Sequence, residues 1–309
     1  MTEIRVLKTN LSDLLQDQVS QSLLEAGSLV LRTQAASLAD FLQFSNQIGS
    51  HFISQGQESG QYRTVGASGS RQLIENRSDL FSITGYQQRH ALPFHGEFFF
   101  QDRVPPQLLW FYCRKPSTHG GHTLVCDGEQ LFQKLARADQ ALFSEQTLIY
   151  ERWHSRDTWQ KLFQLQSEAL LEAHLNETGK TCQFHSDGSV TTHFPSPAIR
   201  FREGRPVFIN SFLPFALRQT LRPEESKARI RFEDGTPITR ELVLRVEQAA
   251  QALTRAIEWQ TGDIALIDNT RMMHGRSELD PHETRDVCVR MSDADFLAGR
   301  LAPWPAVAV

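Results

Sequence analysis

Most of the apolar residues in this chain fall in short runs closed by turn residues, and this constrains the fold more than any other feature. Ser28-Leu-Val-Leu-Arg32, Pro106 to Tyr112, Thr123 to Cys126, Ser189 to His193, Ile264-Ala-Leu-Ile267 and Asp286 to Met291 have the length of strands. His119-Gly-Gly121 reads as the turn between the second and third runs. Asp187-Gly188 and Glu203-Gly204 read as turns around the strands Ala198 to Phe201 and Pro206 to Asn210. Helical spacing covers Leu11 to Leu24, with Gly27 as its stop, then Ala36 to Ile48, Asp127 to Ala138 and Asp157 to His174. The strongest helix is Arg240 to Trp259, where Leu242, Val246, Ala249, Ala250 and Leu253 form a stripe. Many short strands with helices at both ends predict a mostly β, α+β chain. We expect one domain over 1–309 with a jelly-roll core and helical insertions. Gly49 to Gln72 is rich in Gly, Ser and Gln and has no period, so about 49–90 is expected to form an active-site loop or lid.

Composition removes several function classes. A formal net charge of −4, with scattered basic residues, gives no general attraction to nucleic acid. No apolar run approaches the ~18 residues that span a bilayer. Met1-Thr-Glu-Ile-Arg5 lacks the basic and apolar parts of a signal peptide, so a cytoplasmic protein is expected. Cys113, Cys126, Cys182 and Cys288 form no C-x-x-C pair and read as reduced thiols. The 20 phenylalanines suit a β-rich core or an apolar pocket wall.

The chemistry-bearing residues are His95-Gly96-Glu97 and a distant His274. Two imidazoles and a carboxylate can bind one face of an iron(II) ion and leave three positions open. A histidine followed two residues later by an acid is a weak signal. With 11 histidines and 36 acidic residues in 309 positions, chance supplies about one, and His185-Ser186-Asp187 is a second. That rival runs into Gly188, and Asp-Gly is a hairpin signal, so a turn is expected there. In an extended segment residues 95 and 97 point to the same side.

The wider context resembles a known family. Gly262-Asp-Ile-Ala-Leu-Ile-Asp-Asn-Thr-Arg-Met-Met-His274-Gly-Arg276 resembles the distal-histidine segment of the taurine dioxygenase and clavaminate synthase-like family. His95-Gly-Glu97 resembles its proximal motif, and Gly120-Gly-His-Thr123 its Gly-Gly-x-Thr segment. Thr123 lies 28 residues after His95, a separation typical of the family, and the resemblance runs from about residue 20 to 292. It implies a double-stranded β-helix and an enzyme that uses iron(II), 2-oxoglutarate and O2. It also implies that His95, Glu97 and His274 bind the iron and that Thr123 helps hold 2-oxoglutarate. The family carries one or two arginines after the distal histidine, and arginine suits a carboxylate because its planar fork binds it bidentately. We expect Arg290 to hold the far carboxylate with Thr123, and Arg285 to sit near the iron-bound end. The two differ by an odd number, so a regular strand points them to opposite faces. The family separation is more often four, which leaves room for a bulge or another role for one of them.

Related iron halogenases lack the carboxylate, so Glu97 disfavours halogenation. Glutamate here resembles branches acting on amino acids or their derivatives, some tethered to carrier proteins. The expected reaction is hydroxylation of an unactivated C–H of a small, amino-acid-like substrate in specialised biosynthesis. Desaturation, epoxidation and ring formation are the alternatives with the same cofactors. A zinc hydrolase or a non-catalytic jelly-roll binding module are alternatives of another class. Candidate substrate-side residues are Phe98, Asn210, Arg271 and Arg63. Each also has a plainer reading: core packing for Phe98, a strand-end hydrogen bond for Asn210 and a solvated surface for the arginines. His119 and His122 read as structural. Substrate identity and oligomeric state are not legible.

Overall fold

The structure is a computed structural model that describes residues 4–33, 36–54, 72–83, 89–101, 103–221 and 227–303. Arg63 and much of the expected lid lie outside the described residues. Two sheets form the core. The larger runs in the order β1 (Arg5–Lys8), β2 (Ser28–Arg32), β15 (Ile264–Asp268), β6 (Leu108–Lys115), β17 (Asp286–Ser292), β4 (Phe81–Ser82) and β3 (Gln72–Leu73). The smaller runs β14 (Arg255–Ile257), β7 (Thr123–Asp127), β16 (Met272–Arg276), β5 (Leu92–His95). This is the double-stranded β-helix, or jelly roll, with helical insertions.

The period of two sorts each strand of the large sheet into an inner and an outer set. Leu109, Phe111, Ala265, Ile267, Val287, Val289 and Met291 share a buried cluster with Val125, Ile257 and Met272 of the small sheet. Their neighbours Leu108, Trp110, Tyr112, Ile264, Leu266 and Cys288 face the other way. They pack under α1 (Gln16–Ala26) and α2 (Leu38–Ile48) through Val19, Leu23, Phe41 and Phe44. Both faces are covered, which is why these strands read as unbroken apolar runs. Gly27 closes α1 in the left-handed region at φ 72°. A Cβ there would stand 2.5 Å from the Met272 sulfur, so this stop also docks the helix on the small sheet.

The chain between β7 and β14 is a long insertion. It includes α3 (Gly128–Lys134), α4 (Arg137–Glu145), α5 (Arg156–Phe163), α6 (Glu168–Glu177), α7 (Phe212–Leu221) and α8 (Arg240–Gln251). It also carries a hairpin of β11 (Arg200–Arg202) and β12 (Arg205–Val207), and a third sheet. That sheet runs β13 (Ala228–Phe232), β8 (Thr147–His154), β10 (Val190–Pro197), β9 (Thr181–Phe184). Phe143 meets the rings of Phe208 and Phe212 edge-on at 5.0 and 5.1 Å. These rings share one core with Phe94, Cys126 and Met273 of the small sheet.

Local reading fails where tertiary pairing overrides period. The expected helix Arg240 to Trp259 ends at Gln251, because Arg255–Ile257 leaves it to pair with Thr123–Val125. The stretch from Asp127 to Ala138 is two helices, broken where Leu135 and Ala136 are extended. Asp157 to His174 is also two helices, broken at Gln164, which is left-handed at φ 55°. Within 49–90 the described residues include two short strands, β3 and β4, that extend the large sheet, and a bridge from Ser50 to Asp293. All four cysteines are free thiols. Burial pushes Cys113, Cys126 and Cys288 up to about 12, which leaves them unreactive.

Two interactions lock the frame. At the His119-Gly-Gly121 turn, Gly120 has φ 72° and a Cβ would lie 2.1 Å from the Glu278 carbonyl oxygen. Glu283 clamps the same turn by accepting from the Thr118 hydroxyl, the Thr118 N–H and His119. The Thr118 hydroxyl is the largest cause holding the Glu283 carboxyl at about 2, well below its usual range. On β17, Arg290 is 2% exposed. It lies over the Phe52 ring at 3.7 Å, bonds Ser45 and Asn46, and pairs with Asp79.

Replacing Arg290 by alanine leaves Asp79 with only the more exposed Arg77 and frees Ser45 and Asn46 of their partner. It is expected to lower the unfolding free energy by about 3 kcal/mol in chemical denaturation. Glu283 has its folded pKa below its unfolded one, so its stabilisation is present above about 4.5 and lost as pH falls toward about 2. Glu283→Gln is therefore expected to reduce the loss of stability between pH 6 and pH 3. An unchanged pH profile would show that the clamp contributes nothing.

Candidate metal and co-substrate site

One cross-strand pair builds the centre of the site. β16 and β5 run antiparallel with His274 opposite His95, and the imidazole centroids lie 4.3 Å apart. Glu97 follows His95 by two residues and turns back toward both rings. Its Oε2 is 3.5 Å from His274 Nε2 and 3.9 Å from His95 Nε2. The three donor atoms lie within 4.8 Å of one another. Donors sharing one face of a metal at bonds of about 2.1 Å stand about 3 Å apart, so a small inward shift closes the set around an ion. His95 Nδ1 lies 2.9 Å from the Pro93 carbonyl oxygen. A carbonyl only accepts, so Nδ1 carries the proton and Nε2 presents its lone pair.

The turn that holds Glu97 is pinned from three sides. Gly96 N–H donates to the Asn210 carbonyl at 2.8 Å, and the Ser211 hydroxyl donates to the Gly96 carbonyl at 3.1 Å. Asn269 accepts from Glu97 N–H at 2.9 Å and donates to the carbonyls of Glu97 and Pro106. A side chain at position 96 would meet the Phe99 ring at 2.6 Å. Phe98 takes φ 66°, an uncommon conformation for a bulky residue.

A cavity of about 70 Å³ opens beside the triad, walled by Leu92, Phe111, Val289, Thr123, Arg276 and Arg285. Thr123 Oγ1 accepts from Arg285 Nη2 at 2.9 Å and from Trp259 Nε1 at 3.1 Å. Arg285 is 5% exposed, and its Nε and Nη1 have no hydrogen-bond partner. Burial is the main cause that pulls its pKa down to about 10, with the neighbouring Arg276 adding to it. Arg276 donates to the His90 carbonyl at 2.6 Å. Glu97 is the one carboxylate lining this cavity among the described residues. Two buried guanidiniums and so little negative charge leave room for an anion.

Several expected residues lie elsewhere. Arg290 does not reach the cavity. It alternates with Val289 and Met291 and so lands on the outer face against α2, where Asp79 neutralises it. It is Arg285, just before β17, that meets Thr123. Phe98 is buried in the core between the sheets and does not line the cavity. Asn210 is fully buried. Its side chain bonds Ala198 and Phe212, and its carbonyl fixes Gly96, which is the strand-end role. Arg271 pairs with Asp127 and donates to the carbonyls of Leu24 and Glu25, away from the cavity. His185-Ser-Asp187 is a turn in which Asp187 accepts from the Ser189 N–H and hydroxyl.

Three residues at the site escaped local reading. Arg276 follows His274 by two on a strand, so parity alone signals that it shares the cavity face. Asn269 sits in the Asp-Asn-Thr-Arg stretch that carries the resemblance. Trp259 offers no local sign, because its role depends on β14 joining β7.

A family profile for the taurine catabolism dioxygenase TauD, TfdA family matches residues 4–291. A clavaminate synthase-like protein of Arabidopsis thaliana is 25% identical over 232 residues, 70% of this chain and 69% of its own. The dapdiamide synthesis protein DdaC of Enterobacter agglomerans is 23% identical over 223 residues, 67% of this chain and 68% of its own. PvcB of Pseudomonas aeruginosa is an Fe, alpha-ketoglutarate dependent oxygenase from an isonitrile synthetic pathway. It shares the fold at TM-score 0.57 and 12% identity, over 93% of this chain and 84% of its own. The chain belongs to the taurine catabolism dioxygenase TauD, TfdA family and is an iron(II)- and 2-oxoglutarate-dependent oxygenase.

Proposed function

We propose that residues 1–309 act as one dioxygenase domain in which His95, Glu97 and His274 hold iron(II). Arg285 and Thr123 take the far carboxylate of 2-oxoglutarate. The reaction is hydroxylation of an unactivated C–H of a small, amino-acid-like substrate in a biosynthetic pathway. The observation that carries this reading is the Arg285 guanidinium. It is buried, bonded on one side to Thr123, and unpartnered at two nitrogens in a cavity shared with the triad. Iron(II), 2-oxoglutarate and O2 supply the oxidising power when bound. The chain's residues supply geometry. His95 is presented in one tautomer, Glu97 is aimed by Asn269, and Arg285 is held by Thr123. Buried Phe111 and Val289 give the cavity an apolar wall beside the triad. The biosynthetic assignment draws on DdaC and PvcB, both placed in synthetic pathways by their descriptions.

A zinc hydrolase on the same three donors would need a further general base. Among the described residues, the cavity holds no acid or histidine beyond the triad. Glu97 fills the position that halide takes in halogenases, which supports hydroxylation.

Under anaerobic conditions, iron(II) and 2-oxoglutarate are expected to give a metal-to-ligand charge-transfer band with the wild-type protein. Its absence would overturn this reading. Glu97→Ala and His274→Ala are each expected to abolish the band by losing the iron. Arg285→Ala is expected to weaken 2-oxoglutarate about 100-fold, since it removes a buried charged partner. Arg290→Ala is expected to leave that affinity unchanged. Succinate release tested against free amino acids and their carrier-protein thioesters decides whether the substrate is tethered.

A further inference from the structure

The third sheet has two unlike faces. Odd residues of β8 and β10, including Glu151, Trp153 and Thr191, line an open groove on one side. Even residues, namely Tyr150, Arg152, His154, Thr192 and Phe194, turn the other way and wall a second, narrower cavity with Lys180, Phe100 and Gln101. Phe100 and Gln101 belong to the tight turn that begins at Glu97, closed by Gln101 N–H to the Phe98 carbonyl at 3.0 Å. One turn thus places Glu97 in the metal cavity and Gln101 in its neighbour. A backbone chain ties them further. The Tyr150 hydroxyl accepts from Ser211 N–H at 3.0 Å, and the Ser211 hydroxyl donates to Gly96 at 3.1 Å.

Among the described residues, the charge lining this second cavity is one-sided. Arg152 and Lys180 are cationic, and among the described residues no carboxylate lines the space. Arg152 meets a neutral acceptor, Gln101 Oε1, at 3.4 Å, and the Phe100 ring at 5.5 Å. Its depth pulls its pKa down. Burial, followed by the charge of Arg152, pushes His154 down to about 4, so that ring is neutral at physiological pH. A half-buried guanidinium whose described side-chain partners are an amide oxygen and a ring has capacity left for an anion. About 30 Å³ of free space suits a head group, not a whole molecule.

We propose that this cavity is the substrate's anion subsite. Arg152, with Lys180 and Gln101, takes a compact carboxylate of the substrate, whose remainder crosses the Glu97–Gln101 turn toward the triad. The proposal rests on the oxygenase reading and makes the substrate an acid. Arg285, in its separate cavity, remains the anchor for 2-oxoglutarate.

The test uses anaerobic protein loaded with iron(II) and 2-oxoglutarate. It is titrated with straight-chain monocarboxylates from acetate to hexanoate, with the matching amides, and with inorganic phosphate. Binding is read by calorimetry and by perturbation of the charge-transfer band. Wild-type protein is expected to bind a carboxylate of suitable length and to shift the band, and to ignore the amide. Arg152→Gln is expected to weaken that binding about tenfold to a hundredfold while the unperturbed band persists, and Arg152→Lys to retain most of it. Equal binding by wild type and R152Q, or no carboxylate binding while the band is present, would overturn the subsite. Phosphate binding without discrimination of acid from amide would show an adventitious anion site and overturn it too. Loss of the band in wild type would instead refute the oxygenase reading.

Discussion

The site depends on the register of β16 between its two neighbours. On one side His274 stands opposite His95, and on the other Arg276 stands opposite Thr123. One antiparallel alignment therefore brings His95, His274, Thr123 and Arg276 together. A slip of β16 by one residue would turn His274 and Arg276 to the far face, away from His95 and Thr123. That alignment is held by burial on both faces of the strand, since Met272 packs in the core between the sheets and Met273 in the insertion's core. Asn269, at the start of the same segment, grips Glu97 and Pro106 at once. The third donor is thus tied to the strand that carries the second.

Neutralisation sets one group of buried arginines apart from the rest. Arg290 has Asp79, Arg271 has Asp127, and Arg202 has Asp268. Each is a buried or half-buried cation whose charge is answered inside the protein, and each joins elements that are distant in sequence. Arg285 is as deeply buried and has a hydroxyl as its partner. Leaving a guanidinium in this state costs stability, and the cavity beside it is where a ligand's carboxylate would remove that cost. Arg152, half-buried in the neighbouring cavity, likewise has an amide and a ring as its described partners.

What could be read in the sequence follows from which contacts are local. The strands at Ser28–Arg32 and Ile264–Asp268 and the glycine stop at Gly27 are marked by short-range pattern, and they appear where expected. That His95, Glu97 and His274 would cluster was legible because two of them sit two residues apart and the third lies in a long, distinctive segment. The odd separation of Arg285 and Arg290 already held the information that they face opposite ways. The family likeness pointed to Arg290, whereas it is Arg285 that stands against Thr123. Trp259 and the end of α8 were not legible, because nothing near them records that Arg255–Ile257 will be captured by β7. Propensity yields to such pairing when a sheet edge is available.

The same division runs between the two halves of the chemistry. The co-substrate half is built from core strands, where alternation and motif spacing dictate orientation. The surface facing it is built from the long insertion, whose sheet contacts the metal motif through one short turn and the Tyr150–Ser211–Gly96 link. Substitutions on the even positions of β8 and β10 can therefore change what meets that turn without altering the registers that hold the triad. On the proposed assignment, the jelly roll would fix the oxidant's position and leave the insertion to diversify the substrate.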